Sequence, residues 1–115
     1  MPFLSTNCLD EGTIFSVSSL NVTTDAQSLA YLESNFFKGA SPAEMQKLGE
    51  YYPSTPAAGS PFNTGSMYNL TSQYKRISAV QGDALFQAGR RTFLEIASKT
   101  QSTWSSRESF SYIQR

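Results

Sequence analysis

The sequence predicts a mainly helical chain with one short strand at its start, on three observations. Two stretches open with a side-chain cap facing a Gln or Glu three residues on, Thr24 with Gln27 and Ser41 with Glu44. The apolar residues behind each cap recur at helical spacing rather than alternating. The one strand-like run, Met1-Pro2-Phe3-Leu4, is too short to form a sheet without neighbours to pair with.

Taken in order, Asp10-Glu11-Gly12-Thr13 comes after that run as a loop presenting a carboxylate and then opening a helix. Gly12 can take backbone angles that Ala cannot, which suits a sharp exit from the loop. Ile14, Phe15, Val17 and Leu20 then give a short helix or helical turn. The first clear helix opens at Thr24. Leu29, Leu32 and Phe36 form its stripe beside Ala26 and Ala30, and Lys38-Gly39 closes it. The second has Ser41 at the N-cap and Pro42 at the first helical position, with Met45, Leu48 and Tyr52 as its stripe. Pro53 blocks further extension.

Residues 53–65 are rich in Pro, Gly, Ser, Thr and Ala and read as a loop, laid on a surface by Phe62. A helix is predicted from about Thr71, carrying Tyr74, Ile77 and Val80. Gly82-Asp83 is expected to interrupt it, with Asp83 capping the next helix. That last helix is lined by Phe86, Phe93 and Ala97 and broadened by Leu85, Leu94 and Ile96. Lys75-Arg76 and Arg90-Arg91 read as solvated helix faces. Residues 99–115, rich in Ser, Gln and Thr, are expected to fray. No internal repeat is evident.

At 115 residues the chain is one domain at most, with nine basic and nine acidic residues and zero formal charge. No nucleic-acid footprint is therefore visible, and no run approaches the ~18 apolar residues of a membrane span. No charged n-region leading into an apolar h-region marks a secretory signal. The single cysteine, Cys8, permits no internal disulfide, and there is no histidine. Asn21-Val22-Thr23 and Asn69-Leu70-Thr71 are N-glycosylation acceptor patterns. The plain alternative for each is an unmodified surface loop.

The order Pro2-Phe3-Leu4 on a strand and then Asp10-Glu11-Gly12-Thr13 resembles the type-B carboxylesterase/lipase family of fungi, on the α/β-hydrolase fold. The resemblance strengthens at Ser19-Leu20-Asn21-Val22-Thr23-Thr24-Asp25-Ala26-Gln27 and again from Gly59-Ser60-Pro61-Phe62-Asn63-Thr64-Gly65. It continues through Gln73-Tyr74-Lys75-Arg76-Ile77-Ser78-Ala79-Val80, Gly82-Asp83 and Arg90-Arg91-Thr92-Phe93-Leu94. It covers residues 2–104. It implies a partial carboxylesterase domain over 1–104 and a divergent, disordered tail over 105–115. Such a piece supplies a strand, the acid loop and part of the helical cover of an α/β-hydrolase. Judged alone, Glu11 is a solvated loop carboxylate; the resemblance makes it the acid of a Ser-Glu-His triad. The same resemblance sets Phe15, Tyr31 and Phe36 near an acyl-binding pocket, although as aromatics at helical spacing they also read as plain core. Two positions depart from the family: Leu32 is aliphatic where some relatives are aromatic, and Thr6 stands where relatives often have glycine.

A serine esterase needs a nucleophile on a Gly-x-Ser-x-Gly elbow, a histidine base and a carboxylate that orients it. Gly59-Ser60-Pro61 and Gly65-Ser66-Met67 lack the flanking glycines, and no histidine is present. The chain therefore carries one third of a triad, as an internal fragment between the Ser and His regions would. With no histidine to lower its pKa, Cys8 is not expected to act as a nucleophile.

Two functions remain open. One is a fragment of a carboxylic-ester hydrolase, inactive alone, whose complete relatives take ester or lipid substrates and are secreted. The other is a non-catalytic helical binding module derived from that scaffold. Neither calls for a metal, a cofactor or nucleic acid, and exposed apolar helix faces point to self-association.

Overall fold

The computed structural model describes residues 1–109. Strand β1 (Phe3–Cys8) leads into a four-residue helix, α1 (Gly12–Phe15), and a 3-10 turn at Ser16–Ser19. Helices α2 (Asp25–Asn35) and α3 (Pro42–Tyr51) come next, then a 3-10 turn at Pro56–Ala58. Helices α4 (Tyr74–Gly82) and α5 (Ala88–Ala97) are next in order, and strand β2 (Thr103–Glu108) closes it. About half of this is helical, against the mainly helical chain expected, and a two-stranded parallel sheet accompanies the helices. No helix among the described residues is long and apolar enough to cross a membrane.

β2 corrects the expectation that the chain frays from Lys99. It pairs with β1 in parallel, Phe3 opposite Thr103 through Cys8 opposite Glu108. Its composition hides it, because a ladder is made by backbone groups and the side chains of Thr103–Glu108 carry no clean alternation. The partner that β1 needs is thus supplied from the far end of the chain, and residues 110–115 of the expected tail lie outside the described residues. Thr6 sits inside β1, two residues before the strand ends, where its Oγ1 accepts a hydrogen bond from Ser106 Oγ at 2.8 Å.

Both capping boxes form as predicted: Thr24 accepts from the Gln27 amide and Ser41 from the Glu44 amide, each reciprocated. Leu32 of α2 and Met45 of α3 meet Val80 of α4, with Leu29, Leu48 and Tyr52 at the margin. Leu32 is wholly enclosed there. Its aliphatic shape therefore belongs to the core.

The predicted break at Gly82-Asp83 does not occur. Both residues keep right-handed helical angles, and the chain runs from α4 to α5 through a π turn at Asp83–Gln87, whose extra residue is absorbed by widening the helix. The Asp83 side chain does not cap the next helix; its Oδ2 accepts from the Tyr52 hydroxyl at 2.7 Å and ties the end of α3 to the π turn.

Every residue of α4 is buried, Lys75 and Arg76 included. This overturns the solvated-face reading of that pair. The helix is covered on all sides, and most of its polar groups are matched individually, Arg76 Nε being the exception among the described residues. Lys75 Nζ donates to Thr64 Oγ1 at 2.7 Å and to the Gly65 carbonyl at 2.8 Å. Arg76 pairs with Asp25 and reaches the Gly49 carbonyl at 3.3 Å. Burial lowers the Lys75 pKa, and the Asp10 carboxylate partly restores it. Arg91 is exposed as expected, while Arg90 is half-buried, bonded to Gln87 Oε1 at 2.8 Å and to Ser105.

α1 lies directly across α4, and Gly12 makes that possible. A Cβ at Gly12 would fall 2.0 Å from the Ser78 carbonyl oxygen and 2.5 Å from the Gly82 nitrogen. A sharp exit from the loop, the role expected of Gly12, is not what requires it. Its φ is not among the positive ones, so close approach is the reason for glycine here.

Candidate functional site

β1 delivers the acid loop. Its ladder is extended by one bond, Leu9 N–H to the Glu108 carbonyl at 2.7 Å, after which the chain turns. Asp10 and Glu11 leave that turn in different directions. Asp10 Oδ1 accepts from Ser60 Oγ at 2.6 Å and from the Phe62 amide at 2.9 Å. The Asp10 carbonyl accepts from the Thr13 amide at 3.2 Å and from Thr13 Oγ1 at 2.8 Å, which starts α1.

Glu11 turns back onto the strand, and its Oε1 accepts from the Cys8 amide at 2.9 Å. The Cys8 thiol lies against the same carboxylate as a side-chain hydrogen-bond donor. Glu11 is half-buried and helical in φ and ψ, at the N-cap of α1. A carboxylate held by one oxygen can accept a further N–H with the other.

Ser60 is buried and its segment is itself anchored. The Ser60 amide donates to the Lys75 carbonyl at 3.0 Å, and a Cβ on Gly59 would lie 2.5 Å from that same carbonyl. Lys75 fastens the loop farther on, at Thr64 and Gly65. No local pattern signals this arrangement. In sequence Ser60 and Lys75 are a loop serine and a solvated lysine, and only the fold brings Ser60 to Asp10 and Lys75 to the segment that carries Ser60.

The Cys8 thiol sits beside the loop. Burial first, then the Glu11, Glu108 and Asp10 carboxylates, push its pKa up. That keeps it protonated and a poor nucleophile.

The three aromatics do not form one cluster. Phe15 is half-exposed and pairs with Phe86, ring centroids 5.6 Å apart. Tyr31 and Phe36 pair edge to face at 6.2 Å beside the Leu32 core. What connects the two groups is polar: Ser16 Oγ donates to Gln81 Oε1 at 3.0 Å, and Gln81 Nε2 donates to the Tyr31 hydroxyl at 3.3 Å. The hollow of about 290 Å³ beside Val80 is lined by Phe37, Leu48, Tyr52 and Asp83 among others, and by none of the three. Of the two acceptor asparagines, Asn21 is exposed, whereas Asn69 is half-buried with an unpartnered Oδ1.

No family model matches the chain. Over 85 residues it is 53% identical to Lipase 4 of Diutina rugosa, covering 74% of this chain and 15% of that protein. It is 40% identical over 104 residues to Lipase 2 of Geotrichum candidum, covering 90% and 18%. It is 37% identical over 115 residues to Secreted lipase 1 of Botryotinia fuckeliana, covering 97% and 20%. The chain belongs to the fungal lipase/carboxylesterase family. The resemblance carried by the acid-loop and helix sequences is the right one. This lipase-family chain spans between 15% and 20% of the length of these relatives. Its helices and two parallel strands are compatible with a part of a lipase fold.

Proposed function

We propose that this chain is the acid-bearing part of a carboxylic-ester hydrolase of α/β-hydrolase fold, with Glu11 as the acid of a Ser-Glu-His triad. The observation that carries this reading is the Glu11 carboxylate itself. It stands at the end of a parallel strand, steadied through Oε1 by the Cys8 amide and flanked by the Cys8 thiol, and its two oxygens have lone pairs to spare for a further N–H donor. In the complete arrangement Oε2 accepts the N–H of a histidine, fixes its tautomer and stabilises the imidazolium that forms. Phe15, Tyr31 and Phe36 are assigned to the acyl side of that site. The substrate class is a carboxylic ester or lipid, in keeping with the names of the relatives.

The form of the chain supports this reading. Its extents are 47 × 47 × 22 Å and its radius of gyration is 15.7 Å, against about 13 Å for a compact chain of this length. A flat layer with apolar faces suits the cover of a sheet larger than two strands. Asn21 and Asn69 are proposed glycan acceptors, with Asn21 the more accessible, and the whole protein is proposed to be secreted.

A second reading, a non-catalytic interaction module that self-associates, is favoured by one feature. Leu4 and Trp104 stand opposite each other in the ladder, 64% and 56% exposed, and give the sheet a bare apolar face.

Without the serine and the histidine, the 115-residue chain is inactive. Loss of either in a serine hydrolase costs on the order of a millionfold in turnover. The test is hydrolysis of a short activated ester by the purified chain. No turnover above the buffer rate is expected, and turnover abolished by Glu11→Ala would overturn this part of the reading.

A further inference from the structure

Glu11 sits between two fixed points, and one of them is its neighbour Asp10. On the C-terminal side Gly12 is locked against the backbone of α4 at Ser78 and Gly82. On the N-terminal side Asp10 is held twice, by its side chain on Ser60 and Phe62 and by its carbonyl on Thr13. The Glu11 side chain is held only from within the same turn, by the amide and thiol of Cys8 three residues back. Its direction is therefore set by the turn, and the turn is set by what holds Asp10.

We propose that Asp10 is the positioning residue for Glu11, and that Ser60 and Lys75 form its seat. Both carboxylates of the loop then have separate tasks. Asp10 faces the 59–65 segment and Glu11 faces the end of β1, so that neither competes for the other's partners. Ser60 is 1% exposed and its amide is bonded to the Lys75 carbonyl, so the hydroxyl that meets Asp10 belongs to a rigid point. Lys75, also 1% exposed, feels the Asp10 charge without pairing with it, and its ammonium secures the same segment at Thr64 and Gly65. A partly buried carboxylate with two donors and a nearby cation is a stronger anchor than a neutral side chain. Asp10 touches no reacting atom in this scheme; it acts through the turn. The inference rests on the reading of Glu11 as the triad acid for its catalytic meaning, while the coupling itself is a property of this chain.

The experiment is amide hydrogen exchange by NMR on the full 115-residue chain, comparing Ser60→Ala with the unaltered sequence. Ser60 is far from Cys8 in sequence, so a change at the Cys8 amide reports coupling through Asp10. The expected result is exchange at least tenfold faster at both Phe62 and Cys8, with the amides of Leu32 and Val80 in the core unchanged. Asp10→Ala is the second variant and should give the same pattern with a larger effect. Faster exchange at Phe62 with Cys8 within twofold of the unaltered chain would overturn the proposal, since Asp10 would then hold the loop without orienting Glu11. Uniform acceleration across Leu32 and Val80 in both variants would also overturn it, as a general loss of structure. Failure of the triad reading shows differently: Glu11→Gln would leave turnover intact in a complete relative, whatever happens at Cys8.

Discussion

Replacing Gly12 by Ala tests how the acid loop is seated. The added Cβ would meet the Ser78 carbonyl oxygen at 2.0 Å, the Gly82 nitrogen at 2.5 Å and the Ser78 carbonyl carbon at 3.0 Å. All three are backbone atoms of α4, so no side chain can swing aside. Relief requires α1 to lift by more than an ångström, which strips Ser16 and Ser19 of their buried positions and breaks the Ser16–Gln81 bond. Overpacking a core costs typically 1–3 kcal/mol, and a clash with backbone belongs at about 3 kcal/mol. For a domain of this size that lowers the unfolding midpoint by roughly 12 °C or more. Gly89→Ala is the matched control: nothing lies within 4 Å of a Cβ there, and the site is helical. Ala should stabilise that position by about 0.4–1 kcal/mol. Thermal unfolding monitored by far-UV circular dichroism reads both variants. A midpoint for Gly12→Ala within 2 °C of the unaltered chain would refute the close-approach argument.

The same geometry gives other testable outcomes. The Tyr52 pKa is raised well above its ordinary value of 10.0 by burial first, and then by its hydrogen bond to Asp83 and the Asp83 charge, against a smaller opposing effect of Arg91. A raised folded pKa contributes stability that is fully present below pH 10 and is lost as pH rises toward the folded value. Tyr52→Phe should therefore cost about 1 kcal/mol at pH 7, after allowance for solvent screening. The difference from the unaltered chain should shrink above pH 10 in denaturant titrations, and a gap that widens there would contradict the assignment. The bare sheet face predicts association: sedimentation at micromolar concentration should show species larger than a monomer, reduced by Leu4→Lys with Trp104→Lys. A dilute monomer with a sharp two-state transition would count against that prediction.

Much of the local structure is legible because it is encoded locally. Thr24 with Gln27 and Ser41 with Glu44 announce helix starts by reciprocal hydrogen bonds within four residues, and both boxes form at those positions. Glu11 stands out through the sequence around it. The seat of the acid loop is not legible, because Ser60, itself held by the Lys75 carbonyl, meets Asp10 only after the chain has folded back across 50 residues. A buried lysine satisfied by two loop acceptors looks, in sequence, like any lysine on a helix. Gly82 misleads for a similar reason. Glycine marks both breaks and close approaches, and only the position of Gly12 across α4 distinguishes them. β2 escapes notice because its pairing is carried by backbone amides and carbonyls, to which Thr103–Glu108 adds no pattern of its own.

The measurement that bears most directly on the central claim is kinetic. Residues 1–104 are grafted into a complete fungal lipase in place of its own segment, and Glu11→Gln is compared with Asp10→Asn. The amide at Glu11 should favour the wrong histidine tautomer and lower kcat by roughly ten-thousandfold. The amide at Asp10 keeps an oxygen for Ser60 and Phe62 and should cost far less. Equal losses, or a larger loss at Asp10, would show that Glu11 is not the triad acid.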